Sequence, residues 1–170
     1  MTQEQKKGTI QEINGPIVTI RLPGVQNGEQ VRIGSLGLYG EVISLEGDEA
    51  LAQIYESTEM VRPGEPVEGL GHPLSVELGP GLIGGIFDGV QRPLEEMFLK
   101  AGDQIPRGLS PLPLDREKLW HFQPSENLEP NMPIINGARL GVVQETETVE
   151  HRVIVPPDIE GELIELAPEG

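Results

Sequence analysis

The sequence predicts a mainly β protein built from many short strands. The 170 residues include 22 glycines and 16 prolines. Together these make up about 22% of the chain, whereas the two residue types contribute roughly 12% of an average protein. The runs between them are rich in valine and isoleucine and often alternate between apolar and polar residues. Such alternation is typical of strands that bury one face. We therefore expect a closed β-barrel, an extended crossing segment with one short helix, and a second β domain.

Residues 1–70 are predicted to form the barrel. The strand candidates are GTIQEIN, PIVTIRL, GEQVRIG, LYGEVISLE and EALAQIYES. In the second of these, Val18, Ile20 and Leu22 share one face of the strand. Residues 46–49 (EGDE) separate two alternating runs and predict a hairpin turn. Five or six short strands within about 60 residues, joined by tight turns, are typical of a small closed barrel.

Residues 71–109 are predicted to cross between two domains. Glycines and prolines are so dense between Pro73 and Pro93 that extended chain is favoured over an ordinary helix. One helix is predicted directly afterwards, in PLEEMFLKAG. Pro93 suits its first turn, apolar residues recur at i, i+3, i+4 and i+7, and Gly102 can end it.

Residues 110–170 are predicted to form the second β domain. The strand candidates are LWHFQP, MPII, ARLGVVQE, VEHRVIVPP and GELIELA, and Trp120 and Phe122 are expected to share one strand face as a core anchor. The order of strands, hairpin and Pro-rich corner resembles the barrel-sandwich fold of lipoyl- and biotinyl-carrier domains. A carrier needs a lysine at the hairpin tip, but residues 145–150 (ETETVE) contain none and no lysine follows Lys118. The fold can be shared, whereas the carrier chemistry is excluded.

Composition excludes several functional classes. Without cysteine there is no disulfide, no thiolate metal site and no cysteine nucleophile. His72, His121 and His151 are too far apart in sequence for a local metal motif. A net charge of −16 disfavours nucleic acid as a partner. No apolar run approaches the ~18 residues of a membrane span, and the N-terminus does not resemble a signal peptide, so a cytoplasmic location is expected.

The sequence offers no nucleotide-binding motif with the required chemistry. A P-loop needs Gly-Lys followed by Ser or Thr, and none of the four lysines follows a glycine. Residues 79–84 (GPGLIG) match the dinucleotide pattern GxGxxG, but Pro80 removes one amide donor and the glycines that follow argue against a helix start. A tight backbone crossing is the expected role of this segment. We predict no catalytic, cofactor-binding or metal-binding residue in the chain.

The acidic residues of the second domain leave two interpretations open. Residues 125–170 contain ten Asp and Glu against two Arg, and many of the acids alternate with apolar residues. The first interpretation is a solvated sheet face. The second is a docking surface for a basic partner.

Five stretches carry a resemblance to a known family. They are GTIQEINGPIVTI, LGLYGEVISLEGDEALAQIYEST, PGEPVEGLGHPLSVELGPGLIGGIFDGVQRPLE, WHFQP and GVVQETETVEHRVIVPPDIEGEL. Together they resemble the N-terminal part, β-barrel plus bulge domain, of the catalytic A subunit of V-type and archaeal-type rotary ATPases and ATP synthases. The resemblance runs from Gly8 to about Ala167. Its most specific parts are PLSVELGPGL followed by DGVQRPLE, and the later VPP.

The resemblance implies a place in a rotary ATPase for each part of the chain. Residues 1–70 would join the barrels of neighbouring B subunits in the ring of the A/B hexamer. Residues 71–109 would lead toward the nucleotide-binding domain, and residues 110–170 would be the bulge domain that contacts the peripheral stalk. The family's P-loop and catalytic glutamate come after the bulge, so no position of this chain matches them.

The resemblance also implies cofactors and a location. ATP and Mg would serve the whole subunit, which couples ATP hydrolysis or synthesis to proton or sodium transport, while this chain alone would not be an enzyme. It would meet the membrane only indirectly, as part of the soluble head. Because the nucleotide-binding domain would cover residues 78–94, we expect exposed apolar side chains there, high mobility, or self-association that hides the segment. The alternatives are a free-standing β-rich interaction module derived from that subunit, and an enzyme or carrier in its own right.

Overall fold

The structure, a computed structural model, describes residues 6–170 and divides into two compact units. The first unit contains residues 6–76 and 88–111, and the second contains residues 77–87 and 112–170. The chain therefore leaves the first unit, returns to it and leaves it again. No helix among the described residues is long and apolar enough to cross a membrane.

The barrel lies in the first unit, and its six strands confirm the predicted closed architecture. The strands are β1 (Lys6–Asn14), β2 (Ile17–Arg21), β3 (Glu29–Ile33), β4 (Leu38–Glu46), β5 (Glu49–Ile54) and β6 (Pro66–Pro73). Their order around the barrel is β1-β2-β5-β4-β3-β6, and β6 closes it by pairing with β1. All neighbouring pairs are antiparallel. The register shifts within β1, within β4 and in the pairing of β3 with β6. Such irregularities bend strands and help a small sheet to close.

The barrel interior is filled by the alternating residues that the sequence pattern predicts. Val18 and Ile20 of β2 are fully buried and Leu22 is 2% exposed. The interior leaves no room at Gly40 of β4, where a Cβ would lie 2.4 Å from the carbonyl oxygen of Gln53. The predicted hairpin between β4 and β5 is confirmed by the pairing of Glu46 with Glu49 and by its glycine at φ +63°.

One helix, α1 (Leu94–Ala101), follows the return of the chain to the first unit. It begins after Pro93 and ends at Gly102, whose amide donates to the carbonyl oxygen of Phe98 at 2.7 Å. The predicted helix and both of its terminal residues are thus confirmed. Of its predicted apolar face only Met97 is buried, so most of that face is open to solvent.

The second unit contains five short strands in two sheets. They are β7 (Phe122–Pro124), β8 (Pro133–Ile134), β9 (Arg139–Gln144), β10 (Glu150–Ile154) and β11 (Gly161–Glu162). One sheet has the order β10-β9-β7 and the other pairs β11 with β8. The prediction that Trp120 shares a strand face with Phe122 is wrong, because β7 begins only at Phe122. Trp120 is half-buried in the preceding loop, with Lys118 Nζ 4.0 Å from its ring centre.

Candidate functional site

The histidines each have their own local surroundings. His72 Nδ1 lies 2.8 Å from the carbonyl oxygen of Pro73, and His121 Nε2 lies 3.3 Å from Glu169 Oε1. His151 is half-buried within β10. Within residues 6–170, no group of three or more Asp, Glu, His or Cys side chains is arranged to hold a metal ion. That the chain has no catalytic, cofactor or metal residue stays a prediction.

The GxGxxG segment binds a carboxylate of the chain itself. The amides of Gly81 and Ile83 both donate to Glu145 Oε1, at 2.7 and 2.9 Å. Glu145 lies just beyond β9, at the hairpin between β9 and β10. The glycine at 81 has φ +107°, a backbone conformation that favours glycine. These two amides, which a dinucleotide site would offer to phosphate, are therefore occupied by an internal contact.

A second cluster of charges attaches residues 88–111 to the barrel. Arg92 donates through Nε to Asp88 Oδ2 at 2.7 Å and through Nη1 to Glu56 Oε1 at 2.9 Å. Glu56 Oε2 also accepts from the Gly108 amide at 3.0 Å. The side chains of Arg92 and Glu56 are only 16% and 15% exposed. We call this cluster of Glu56, Asp88, Arg92 and Gly108 the arginine clamp.

The clamp also affects the ionisation of Asp88. Burial alone would raise the pKa of Asp88, but hydrogen bonds from the Arg92 backbone and side chain and from the Val90 amide outweigh it and hold the pKa below its usual value. A charged Asp88 beside a planar, two-pronged guanidinium gives a well-defined geometry. The helix that follows Pro93 is therefore held at a fixed place on the first unit.

The expected apolar exposure at residues 78–94 is confirmed. Leu78, Ile83 and Ile86 are 76%, 55% and 70% exposed, and Leu94 is 36% exposed. Phe98 of α1 adds a further exposed aromatic ring. Large apolar side chains left open to solvent along one stretch of chain are typical of sites of interaction.

The second unit carries an apolar groove of about 570 Å³. Val155, 5% exposed, is the most deeply buried residue that lines it, and the half-buried Ile134, Leu140 and Leu163 line it as well. Ile159, together with the apolar and acidic residues that follow it, lines the rim of the groove. The groove exists because β11 pairs with β8, which brings together residues nearly thirty positions apart.

Acidic side chains also line this groove. Glu160, Glu162 and Glu165 line it, and none of them forms an ion pair with any residue that the structure describes. We call these three carboxylates the acidic rim. The sequence pointed to acidity in residues 125–170, but the groove itself was not predictable. Its walls come from separate strands whose pairing no local pattern specifies.

Two family models match the chain. Residues 10–71 match the beta-barrel domain of the ATP synthase alpha/beta family, and residues 112–170 match the ATP synthase alpha/beta subunit barrel-sandwich domain. The first match covers most of the observed barrel, and the second covers the strands of the second unit. Both confirm the predicted fold class.

Individual relatives give the same result. The V-type ATP synthase alpha chain of Nitrosococcus oceani is 60% identical over 163 residues, which is 96% of this chain and 28% of the relative. The A subunit of the A-type ATP synthase of Thermococcus kodakarensis is 49% identical over 164 residues, with the same coverage of both chains. The corresponding protein of Pyrococcus horikoshii is 50% identical over 165 residues, 96% of this chain and 17% of the relative.

The chain thus spans 28% or less of the length of these relatives. The two family matches cover most of the barrel and the strands of the second unit, and the alignments to these relatives cover 96% of the chain. The chain belongs to the ATP synthase alpha/beta family and corresponds to the N-terminal region of the A (alpha) subunit of V-type and A-type ATP synthases.

Proposed function

We propose that this chain serves the assembly of the catalytic head of a V/A-type rotary ATP synthase. The observation that carries the proposal is 60% identity, over 96% of the chain, to a V-type ATP synthase alpha chain. Residues 1–70 would place the whole protein in the A/B hexamer by contacting neighbouring B subunits. Residues 71–109 would lead toward the nucleotide-binding domain, and residues 110–170 would contact the peripheral stalk as the bulge domain.

We propose that the chemistry belongs to the full-length protein. ATP and Mg would bind outside residues 1–170, where ATP turnover would be coupled to proton or sodium transport. The head would lie in the cytoplasm and meet the membrane only through the complex. Two observations support a purely structural role for this region: no Gly-Lys pair occurs in the sequence, and the GxGxxG amides are bound by Glu145.

Association with the B subunit tests the barrel's role. The purified chain is mixed with a B subunit of the same enzyme type, and complex formation is followed by sedimentation velocity. Gly40→Ala should abolish binding, because the new Cβ would lie 2.4 Å from a backbone oxygen inside the barrel. Gly89→Ala is the matched control, since no heavy atom lies within 4 Å of its Cβ position and its φ is not positive. Equal binding by both variants would argue against a barrel-mediated contact.

Nucleotide binding tests the assignment of the chemistry. Calorimetry with Mg-ATP should give no binding to the 170-residue chain and clear binding to the full-length protein. Tight binding by the chain alone would refute the proposal that residues 1–170 only assemble the head.

A further inference from the structure

The groove of the second unit combines an apolar interior with an acidic rim. Its lining includes the buried Val155, while Ile159 and Ile164 are 54% and 86% exposed. A volume of about 570 Å³ is within the range of sites that hold a ligand or several side chains. Such a concave apolar surface gains free energy when another apolar group displaces water from it.

Charge restricts what can occupy this groove. Residues 156–170 contain Asp158 and four Glu but no Lys or Arg. The three carboxylates of the acidic rim have no cationic partner among the residues that the structure describes. Like charges grouped around one cavity create a negative potential that attracts cations and repels anions. A second copy of this chain, at −16, would add repulsion rather than complementarity.

We infer that the groove binds a segment of a partner protein whose apolar side chains are flanked by lysine or arginine. The inference rests on the proposed role of residues 110–170 as a contact domain, and it names the chemistry of the contacting segment. Apolar side chains would enter between Leu163 and Ile159. The aliphatic stems of the basic residues would lie along Ile164, and their charged ends would reach the acidic rim.

Nuclear magnetic resonance titration locates the binding surface. The ¹⁵N-labelled chain is titrated with a synthetic peptide made only of leucine and lysine, with a leucine–glutamate peptide as the control. Amide shifts should concentrate at residues 134, 140, 155 and 159–165 and be absent with the glutamate peptide. Shifts centred on other residues would overturn the inference.

Variants that remove the same charge at different places distinguish binding at the acidic rim from a general attraction of the basic peptide to an acidic protein. The triple variant Glu160→Gln, Glu162→Gln and Glu165→Gln should lower the affinity for the leucine–lysine peptide by about tenfold, as expected for the loss of three exposed ion pairs. The control triple, Glu126→Gln, Glu129→Gln and Glu147→Gln, removes the same charge from residues that do not line the groove. It should change affinity by less than about twofold. Equal weakening by the two triples would overturn the inference.

A second pair of variants tests the apolar part of the site. Ile159→Ser should weaken peptide binding several-fold, because it removes an apolar side chain from the groove edge. Ile154→Ser is matched in exposure, 53% against 54%, but does not line the groove. Equal loss of peptide affinity in the two variants would overturn the inference. It would also be overturned if sedimentation showed that the chain self-associates and that Ile159→Ser abolishes this self-association.

The outcome is separable from that of the proposed function. If the peptide fails to bind the groove while the chain still associates with the B subunit, only the present inference fails. If the peptide binds as expected but the B subunit does not, the assembly role of the barrel fails and the groove stands.

Discussion

A single buried carboxylate, that of Glu29, joins three parts of the barrel. Its side chain is 3% exposed and accepts hydrogen bonds from Lys6 Nζ at 2.7 Å and from the amides of Gln26 and Gly71 at 3.0 Å each. Burial alone would raise the pKa of Glu29, but these three donors outweigh it and hold the pKa below its usual value. Because the folded pKa is lowered, the stability from Glu29 is present above its unfolded pKa and is lost as pH falls through the folded value.

Glu29→Gln should therefore lower the free energy of unfolding at pH 7 by about 1–3 kcal/mol, the range expected for losing charge-assisted hydrogen bonds at a buried site. It should also reduce the loss of stability on acidification. Urea denaturation at pH 7 and at about pH 4 measures both effects. Glu12→Gln, on the exposed side of β1, is the control and should behave like the unmodified chain. An unchanged acid dependence in Glu29→Gln would contradict this account.

Glu145 plays a comparable part in the second unit, where it holds the glycine-rich segment through two amides. Glu145→Ala should speed hydrogen exchange at Gly81 and Ile83 by about tenfold or more, as expected when a net contribution near 1.5 kcal/mol is lost. Glu145→Gln should retain part of the protection, because its amide oxygen can still accept both bonds. Exchange rates measured by nuclear magnetic resonance distinguish the variants, with Glu147→Ala as the exposed control.

Neither of these residue contacts could be read from the sequence. Glu145 meets its partners more than sixty positions away, and Glu29 meets Gly71 across 42 positions. Both stand among 28 acidic residues with no local feature that sets them apart. In contrast, local φ requirements and caps were predictable, as Gly102 and the turn at residues 46–49 demonstrate.

At the level of secondary-structure elements, the arginine clamp positions α1 on the first unit. Arg92→Lys should lower the free energy of unfolding by about 1–3 kcal/mol. The guanidinium of Arg92 binds Asp88 and Glu56 at the same time, whereas a lysine ammonium cannot reproduce this two-pronged geometry. At least one half-buried carboxylate would therefore lose its partner. Arg21→Lys is the matched control at an exposed pair with Glu49, where less than about 1 kcal/mol is expected. Urea denaturation followed by circular dichroism measures the difference, and equal effects would rule out a special role for the clamp.

Sequence patterns predicted the strands of the first unit more completely than those of the second. The barrel strands β1 to β5, five to nine residues long, match the predicted candidates. The strand β6 was missed, because its glycines and prolines indicated a connector rather than a strand. In the second unit, β8 and β11 are two residues long, too short for a periodic signal. The pattern also extended a strand back to Trp120, because an aromatic-rich alternating run looks the same whether or not a neighbouring strand is present to pair with it.

The acidity of the candidate groove could be predicted from the sequence, but its apolar lining could not, because short paired strands leave no local pattern. For the acidic residues of 125–170, the sequence left both a solvated sheet face and a docking surface for a basic partner open. It could not predict that Ile134 and Ile159 line one groove, because the groove depends on the pairing of β8 with β11 rather than on either strand alone.

At the scale of the whole molecule, the net charge of −16 opposes compactness through self-repulsion. Raising NaCl from about 20 to about 300 mM shortens the screening length several-fold and should raise the thermal midpoint by about 2–5 °C. The triple variant Glu126→Gln, Glu129→Gln and Glu147→Gln should start with a higher midpoint and gain less from salt. A midpoint that stays constant or falls would contradict this expectation. Differential scanning calorimetry provides the measurement.

The double passage of the chain between the units restricts how the barrel can be excised or transplanted. A cut after residue 71, where the barrel family match ends, would discard Arg92 and Gly108 and leave the half-buried carboxylate of Glu56 without its donors. A graft of this barrel into another protein should therefore carry residues 88–111 along, with a designed linker in place of residues 77–87. The portable module is discontinuous in sequence, although all of its strands belong to one closed barrel.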